Sequence, residues 1–195
     1  MSGMVESLKV NVMMTFMPSS REVLYALAEQ HSGWFRASDA IAAGVSRRQL
    51  ARYAESGVLQ RSTHGVYRLR DFPAQAFEDV IEACLWAGPE AVASHDTALA
   101  VYGLGEAMPA SIHVTVPQRL RKRRPGVIVH IETLPAVDRD RRDGVPITSV
   151  ARAIRDIAAD EPAETVAAVL RQAEDEGLMR HRDAAALRKE FGTPT

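Results

Sequence analysis

The sequence predicts an α+β protein in which a small N-terminal unit of helices and one hairpin precedes a mixed α/β unit. Two observations predict it. Helix-capping residues stand before apolar residues at helical spacing, and alternating apolar and polar residues flank short turns. The predicted units span residues 19–72 and 73–195. Residues 1–18 are expected to be an N-terminal extension, disordered or upstream of the true gene start.

Two helices open the first unit. Ser19 and Glu22 have the S-x-x-E spacing of a capping box, and apolar residues recur after them, which predicts a helix over residues 20–31. The stretch "HSGWF" ends it. A second helix is expected in "SDAIAAG", with Ser38 as its cap and Gly44 as the exit residue in a left-handed conformation.

The third helix has the most complete local signal, in "GVSRRQLARYAESG". Ser46 is the expected cap, Gln49 completes the capping box, and Val45 can pack against Leu50. At about 100° per residue, Leu50, Ala51 and Ala54 share one side, while Arg48, Gln49 and Arg52 share the other.

A β-hairpin is expected directly after this helix. In "VLQRSTHGVYRLR", apolar and polar residues alternate on both sides of a Ser-Thr-His-Gly turn. The order helix, helix, helix, hairpin, with about three residues between the second and third helices, is typical of a winged helix-turn-helix.

The second unit has a different pattern, which favours a mixed α/β domain after a linker near residues 71–75. Helices are expected in "AQAFEDVIEACLWAG" and "SHDTALAVYGL", and strands in "SIHVTVP" and "GVIVHIETLP". Thr148 is the expected cap of "SVARAIRDIAAD", and two further helices are expected over about 163–177 and 182–190.

Net charge and cysteine content limit the classes of protein to which the chain can belong. The chain has 195 residues, a net charge of −1 and one cysteine, Cys84, in an apolar run, which favours a reduced cytoplasmic protein. No membrane span and no export signal are evident. Because the chain as a whole is not basic, a polyanion has to be bound by local clusters of charge.

One such cluster lies in the first unit. Between Trp34 and Arg70 there are seven arginines and two acidic residues, which leaves a local charge of +5. The third helix of a winged helix enters the major groove of DNA with its first turns, where arginine and glutamine bind base edges and phosphates. The expected DNA-binding residues are Arg47, Arg48, Gln49 and Arg52, with Arg61, His64 and Arg68 in the wing.

Cations at a helix N-terminus oppose the helix dipole by a few tenths of a kcal/mol each, so their presence at Arg47 and Arg48 favours a function. The competing interpretation is a solvated arginine face. A second polyanion-binding cluster is formed by Arg119, Arg121, Lys122, Arg123 and Arg124, and a solvated strand connection is the equal alternative there.

No active site, cofactor or metal is predicted. His113 and His130 can face each other from adjacent strands, but no Cys pair, H-x-x-x-H or carboxylate at ligand spacing accompanies them, which favours packed or surface histidines. "SHD" at 94–96 is better explained as a cap and a first helical turn than as a catalytic triad. No nucleotide-binding or hydrolase motif is present.

The ordered segments resemble a known family. "AAGVSRRQLARYAESGVLQRSTHGVYRL", "ASHDTALAVYGL", "IHVTVPQ", "GVIVHIETLP" and "DGVPITSVARAIRDIA" together resemble the AbiEi-type antitoxins of bacterial abortive-infection toxin–antitoxin systems, over residues 19–178. "HIETL" has Leu134 where the E-x-K of a related nuclease-like domain requires lysine, which argues against cleavage.

The resemblance implies an antitoxin and autorepressor. Its winged helix would bind inverted repeats of double-stranded DNA in its own promoter, with two copies of the chain on the DNA. Its second domain would counteract a nucleotidyltransferase-type toxin, directly or indirectly. Two alternatives stay open: a stand-alone transcription regulator whose second domain senses a ligand or dimerises, and a nucleic-acid-processing enzyme with an unrecognised site.

Overall fold

A computed structural model describes residues 18–62, 65–105 and 109–192, and the expected N-terminal extension up to residue 17 lies outside this part. The chain is an α+β protein. Its helices are α1 Ser20–Glu29, α2 Ala37–Ala42, α3 Arg47–Glu55, α4 Glu78–Ala87, α5 His95–Tyr102, α6 Val150–Ile157, α7 Ala163–Asp175 and α8 His181–Phe191. Its strands are β1 Trp34–Arg36, β2 Leu59–Arg61, β3 Val66–Leu69, β4 Val92–Ala93, β5 Ile112–Val116, β6 Val127–Ile131, β7 Arg139–Arg142 and β8 Val145–Thr148.

The first helices, α1 to α3, and the hairpin β2–β3 occur as predicted. Both expected capping boxes are present, at Ser19 with Glu22 and at Ser46 with Gln49. Gly44 leaves α2 with a φ of +93°, in the left-handed region that glycine adopts without strain. The expected cap of α2 is wrong, because the helix begins before Ser38, with Arg36 at the cap position and no side-chain capping bond.

A third strand joins this unit, and the sequence did not predict it. β1 comes from "WFR", which the sequence analysis assigned to a break after α1. It pairs antiparallel with β3, which also pairs with β2, giving the strand order β1-β3-β2. Three residues are too short for an alternating pattern to stand out, and their strand conformation is fixed by the neighbour that they pair with.

The second unit is built on a mixed five-stranded sheet of order β6-β5-β4-β8-β7. β5 and β6 are parallel, as are β4 and β8, whereas β4 with β5 and β7 with β8 are antiparallel. Of these strands, β5 and β6 were predicted. The expected cap of α6 is also wrong: Thr148 ends β8, and the Ser149 side chain accepts the capping bond from the Arg152 amide.

Buried apolar residues form two clusters. The smaller one, around Leu24, Leu50 and Leu59, lies among α1, α3 and the hairpin. The larger one fills the second unit, but it also includes Trp34 and Val66 from the first. The two units therefore pack directly on each other. Within the described residues, no helix is long and apolar enough to cross a membrane.

Polar contacts add to this packing. Arg141 donates to the Gln30 carbonyl oxygen at 2.7 Å, and the Ser32 hydroxyl donates to the Asp143 carbonyl oxygen at 3.1 Å. A Cβ added at Gly144 would stand 2.3 Å from the Ser32 hydroxyl oxygen, so the turn between β7 and β8 approaches the first unit too closely for a larger residue there.

Candidate functional site

The outer side of α3 presents arginines to solvent. Arg47, Arg48 and Arg52 are all exposed, and Leu50 on the opposite side is buried at 2% exposure. The guanidinium of Arg52 stacks over the Tyr53 ring, 5.7 Å from its centroid. Ala51, which was expected to face inward, is exposed and lines a groove of about 450 Å³ along this side together with Arg48 and Arg52.

Gln49 has a different role from the arginines beside it. Its side-chain oxygen accepts a hydrogen bond from the Ser46 amide at 2.9 Å, which completes the cap. Its side-chain nitrogen donates to the Ser20 hydroxyl at 2.7 Å, which ties the start of α3 to the start of α1. Both ends of the amide are thus occupied by structural hydrogen bonds, so binding to a base edge would require breaking them.

The two arginines predicted in the wing differ in their exposure to solvent. Arg61, at the end of β2, is exposed. Arg68, in β3, is instead buried at 8% exposure and pairs with Glu78 at 2.7 Å. It also donates to the carbonyl oxygens of Leu69 and Phe72 at 3.2 and 3.1 Å. Its placement among the DNA-binding residues is corrected here, because its guanidinium binds the linker and the start of α4.

His64, the remaining wing residue, lies outside the described residues.

Two of the five cations in the second basic cluster have partners within the protein. Lys122 donates to the Trp86 carbonyl oxygen and lies 5.0 Å from the centre of the Trp86 ring, and burial lowers its pKa. Arg124 pairs with Glu82 at 3.0 Å, with side-chain exposures of 20% and 15%. Lys122 is nevertheless exposed, as are the three arginines Arg119, Arg121 and Arg123.

A third group of polar residues consists of three histidines from separate elements of the second unit. His95, at the start of α5, meets His113 of β5 and His130 of β6, and their possible ligand atoms all lie within 4.8 Å of one another. The His113 and His130 rings face each other, as predicted, with Nδ1 and Nε2 3.2 Å apart. The ring of His95 stacks on that of His130 with 3.7 Å between centroids.

Backbone hydrogen bonding fixes two of these histidines. Because β5 and β6 are parallel with Thr115 opposite His130, His113 and His130 project from the same face of the sheet, two positions apart. The His113 amide also donates to the Thr97 hydroxyl of α5 at 2.9 Å. His95 itself has a φ of +54°, an uncommon conformation for a residue other than glycine, which costs of order 1 kcal/mol.

The histidine cluster is half-buried, and burial favours the neutral imidazole. Desolvation lowers the pKa of His95 to about 4, with a further contribution from the nearby His113. It lowers the pKa of His130 to about 4 as well, and both neighbouring histidines add to this. Neutral imidazole is the form that accepts a hydrogen bond or binds a metal through its lone pair.

A carboxylate stands directly behind His95. Asp156 of α6 is 4% exposed, and its Oδ2 lies 3.8 Å from His95 Nδ1. Its Oδ1 accepts from Arg152 Nε at 2.6 Å, while Arg152 also binds Glu132, whose pKa this contact lowers. Burial raises the pKa of Asp156.

No short sequence motif marks this cluster, because 17 or more residues separate its members and three different elements supply them. The three rings pack on one another and are half-buried, which agrees with the expectation of packed histidines. Among the described residues, this is the grouping of three side chains that could hold a metal ion.

The fold and the exposed arginines of α3 define the first unit as a winged helix-turn-helix, followed by an α/β region. Residues 22–70, from the first turn of α1 to the end of the hairpin, match the family model described as transcriptional regulator, AbiEi antitoxin. This match confirms the resemblance drawn from the sequence for that unit, and it supports a role as an antitoxin and regulator. No curated protein matches the chain significantly.

Proposed function

We propose that this chain is an antitoxin that represses its own promoter by binding DNA through α3. The observation that carries the proposal is the exposure of Arg47, Arg48 and Arg52 on one side of the third helix of a winged helix-turn-helix. In this class of fold the start of that helix enters the major groove. Guanidinium groups there bind guanine edges or phosphates.

Exposed Arg61 extends the proposed surface to the wing, where its guanidinium would contact the DNA backbone. Arg68 and Gln49 act inside the protein instead and orient the wing and the recognition helix. A single winged helix covers few base pairs, so two copies are expected on an inverted repeat, one per half-site.

DNA binding is tested by charge reversal on α3. The full chain and Arg48→Glu/Arg52→Glu are titrated into a labelled fragment of the chain's own promoter and into a scrambled fragment of equal length. The control Arg171→Glu/Arg182→Glu makes the same change in net charge at exposed positions of α7 and α8, outside both basic clusters. Loss of promoter binding in the first variant alone supports the proposal, and equal binding by all three proteins overturns it.

The second unit is proposed to counteract a nucleotidyltransferase-type toxin, as in the family that residues 22–70 match. Coexpression of the full chain with the neighbouring gene product, scored by growth, tests this part. The Arg48→Glu/Arg52→Glu variant should still rescue growth if the second unit is responsible. Failure of the wild-type chain to rescue would favour a stand-alone regulator.

The number of copies is measured by analytical ultracentrifugation with and without the promoter fragment. Two chains per inverted repeat are expected, and one chain per repeat would contradict the proposed arrangement.

A further inference from the structure

We propose that His95, His113 and His130 form a binding site for a divalent transition metal, with Zn²⁺ as the ion that they fit best. Three imidazoles are a recurrent ligand set for zinc, and nitrogen ligands favour zinc over calcium or magnesium, which prefer oxygen. All three are anchored in regular elements, two on neighbouring strands and one at the start of a helix. The site is independent of the proposed DNA-binding surface.

The spacing of the nitrogens matches a zinc ion. Two nitrogens bound to one tetrahedral zinc at about 2.0–2.1 Å stand about 3.3–3.4 Å apart. His113 Nδ1 and His130 Nε2 are 3.2 Å apart in a hydrogen bond, so an ion that replaces the shared proton would leave this separation nearly unchanged. The rings of His95 and His130 are stacked with 19° between their planes. Convergence of both rings on one ion therefore requires a rotation about χ2, a torsion with a broad energy minimum for histidine.

Asp156 places a carboxylate beside one of the three proposed ligands. Metal-binding histidines commonly donate their other ring N–H to a carboxylate, which fixes the tautomer and raises the basicity of the ligand nitrogen. Asp156 Oδ2 is buried, has no hydrogen-bond partner within the described residues, and lies 3.8 Å from His95 Nδ1. His95 Nδ1 now lies 3.0 Å from the Ser94 hydroxyl oxygen, so the imidazole has to turn toward Asp156 for its Nδ1–H to donate to the carboxylate while Nε2 binds the metal.

The site has three protein ligands and an open side. Because the three histidines are half-buried rather than enclosed, a water molecule can complete a tetrahedral set. The bound ion would link the edge strand β6 to β5 and to the start of α5. A metal that binds the folded chain only should therefore raise its melting temperature as the metal concentration rises.

Zinc binding is measured on the full-length chain after treatment with a chelator. Isothermal titration with Zn²⁺ should show one ion per chain, and His113→Ala should weaken the affinity at least 100-fold. Asp156→Asn should weaken it by about 10–100-fold, because it removes the carboxylate behind His95 and keeps all three ligands. The matched control is His181→Ala, which removes a histidine whose side chain is 85% exposed on α8.

A spectroscopic measurement on the wild-type chain keeps the proposal testable if a variant fails to fold. In nitrogen-15 NMR of the imidazole rings, addition of Zn²⁺ should shift the signals of His95, His113 and His130 and leave that of His181 in place. Unchanged signals from the three rings, or equal zinc affinity in folded His113→Ala and His181→Ala, would overturn the proposal.

Discussion

The two arginine-rich segments of this chain have similar sequences and different surroundings. In α3, Arg47, Arg48 and Arg52 are exposed on one side of a helix whose other side is buried. In the connection between β5 and β6, Lys122 packs on Trp86 and Arg124 pairs with Glu82. The three arginines of α3 are thus all exposed, whereas two of the five cations in the connection are bound within the protein.

Exposure also differs between two arginines of the winged helix. Arg61 and Arg68 lie on neighbouring strands of one hairpin, but Arg61 is exposed and Arg68 is buried against Glu78. Cross-strand pairing places Gln60 opposite Arg68 and Arg61 opposite Tyr67, so the two arginines lie on opposite faces of the hairpin. Substitution of a cation that is paired within the protein should lower stability, whereas substitution of an exposed cation should weaken DNA binding.

The largest effect is expected for Arg68→Ala. It removes the only cation paired with the Glu78 carboxylate among the described residues, together with three carbonyl contacts, which should lower the free energy of unfolding by about 3 kcal/mol. Urea unfolding measures this, with Arg48→Ala as the control. Equal stability of the two variants would show that Arg68 contributes no more than an exposed cation.

Single substitutions on α3 should act mainly on DNA binding and change stability only slightly. Arg48→Ala or Arg52→Ala should each weaken promoter binding by about 1–3 kcal/mol if the guanidinium binds a base. Arg48→Ala should also stabilise the fold by a few tenths of a kcal/mol, because it removes a cation from a helix N-terminus. Fluorescence anisotropy measures DNA binding and urea unfolding measures stability. The control is Arg182→Ala, an exposed position of α8 at which no change in DNA binding is expected.

Arg124→Ala should lower the free energy of unfolding less than Arg68→Ala does and more than a substitution on α3 does. The Arg124 and Glu82 side chains are mostly buried, so loss of their ion pair should reduce stability by about 1–2 kcal/mol. Promoter affinity should stay within a factor of two. A large loss of DNA binding with unchanged stability would instead assign Arg124 to a polyanion-binding surface.

The smallest effect is expected for the wing. Arg61→Ala should weaken binding to all DNA sequences alike and reduce the slope of log affinity against log salt by about one, because it removes one phosphate contact. Titrations at several salt concentrations measure the slope, and Arg182→Ala on α8 should leave it unchanged. A sequence-dependent loss would place Arg61 at a base edge.

Much of the first unit could be predicted because its signals are local. A capping box depends on residues three positions apart, and α1 and α3 begin at the capping residues that the sequence indicated. The hairpin also follows from alternation about one turn. β1, β4, β7 and β8 were missed, since strands of two to four residues are stabilised by the partners that they pair with rather than by their own sequence.

The sequence by itself determined the order of the helices, the hairpin, the exposed side of α3 and the relation to AbiEi antitoxins, because each depends on nearby residues or on ordered segments. Only the tertiary structure decided which cations are exposed and that His95 joins His113 and His130 beside Asp156. Burial and ion pairing are set by elements distant in the chain. The partner of a side chain therefore becomes visible only when the sheet and its helices are assembled.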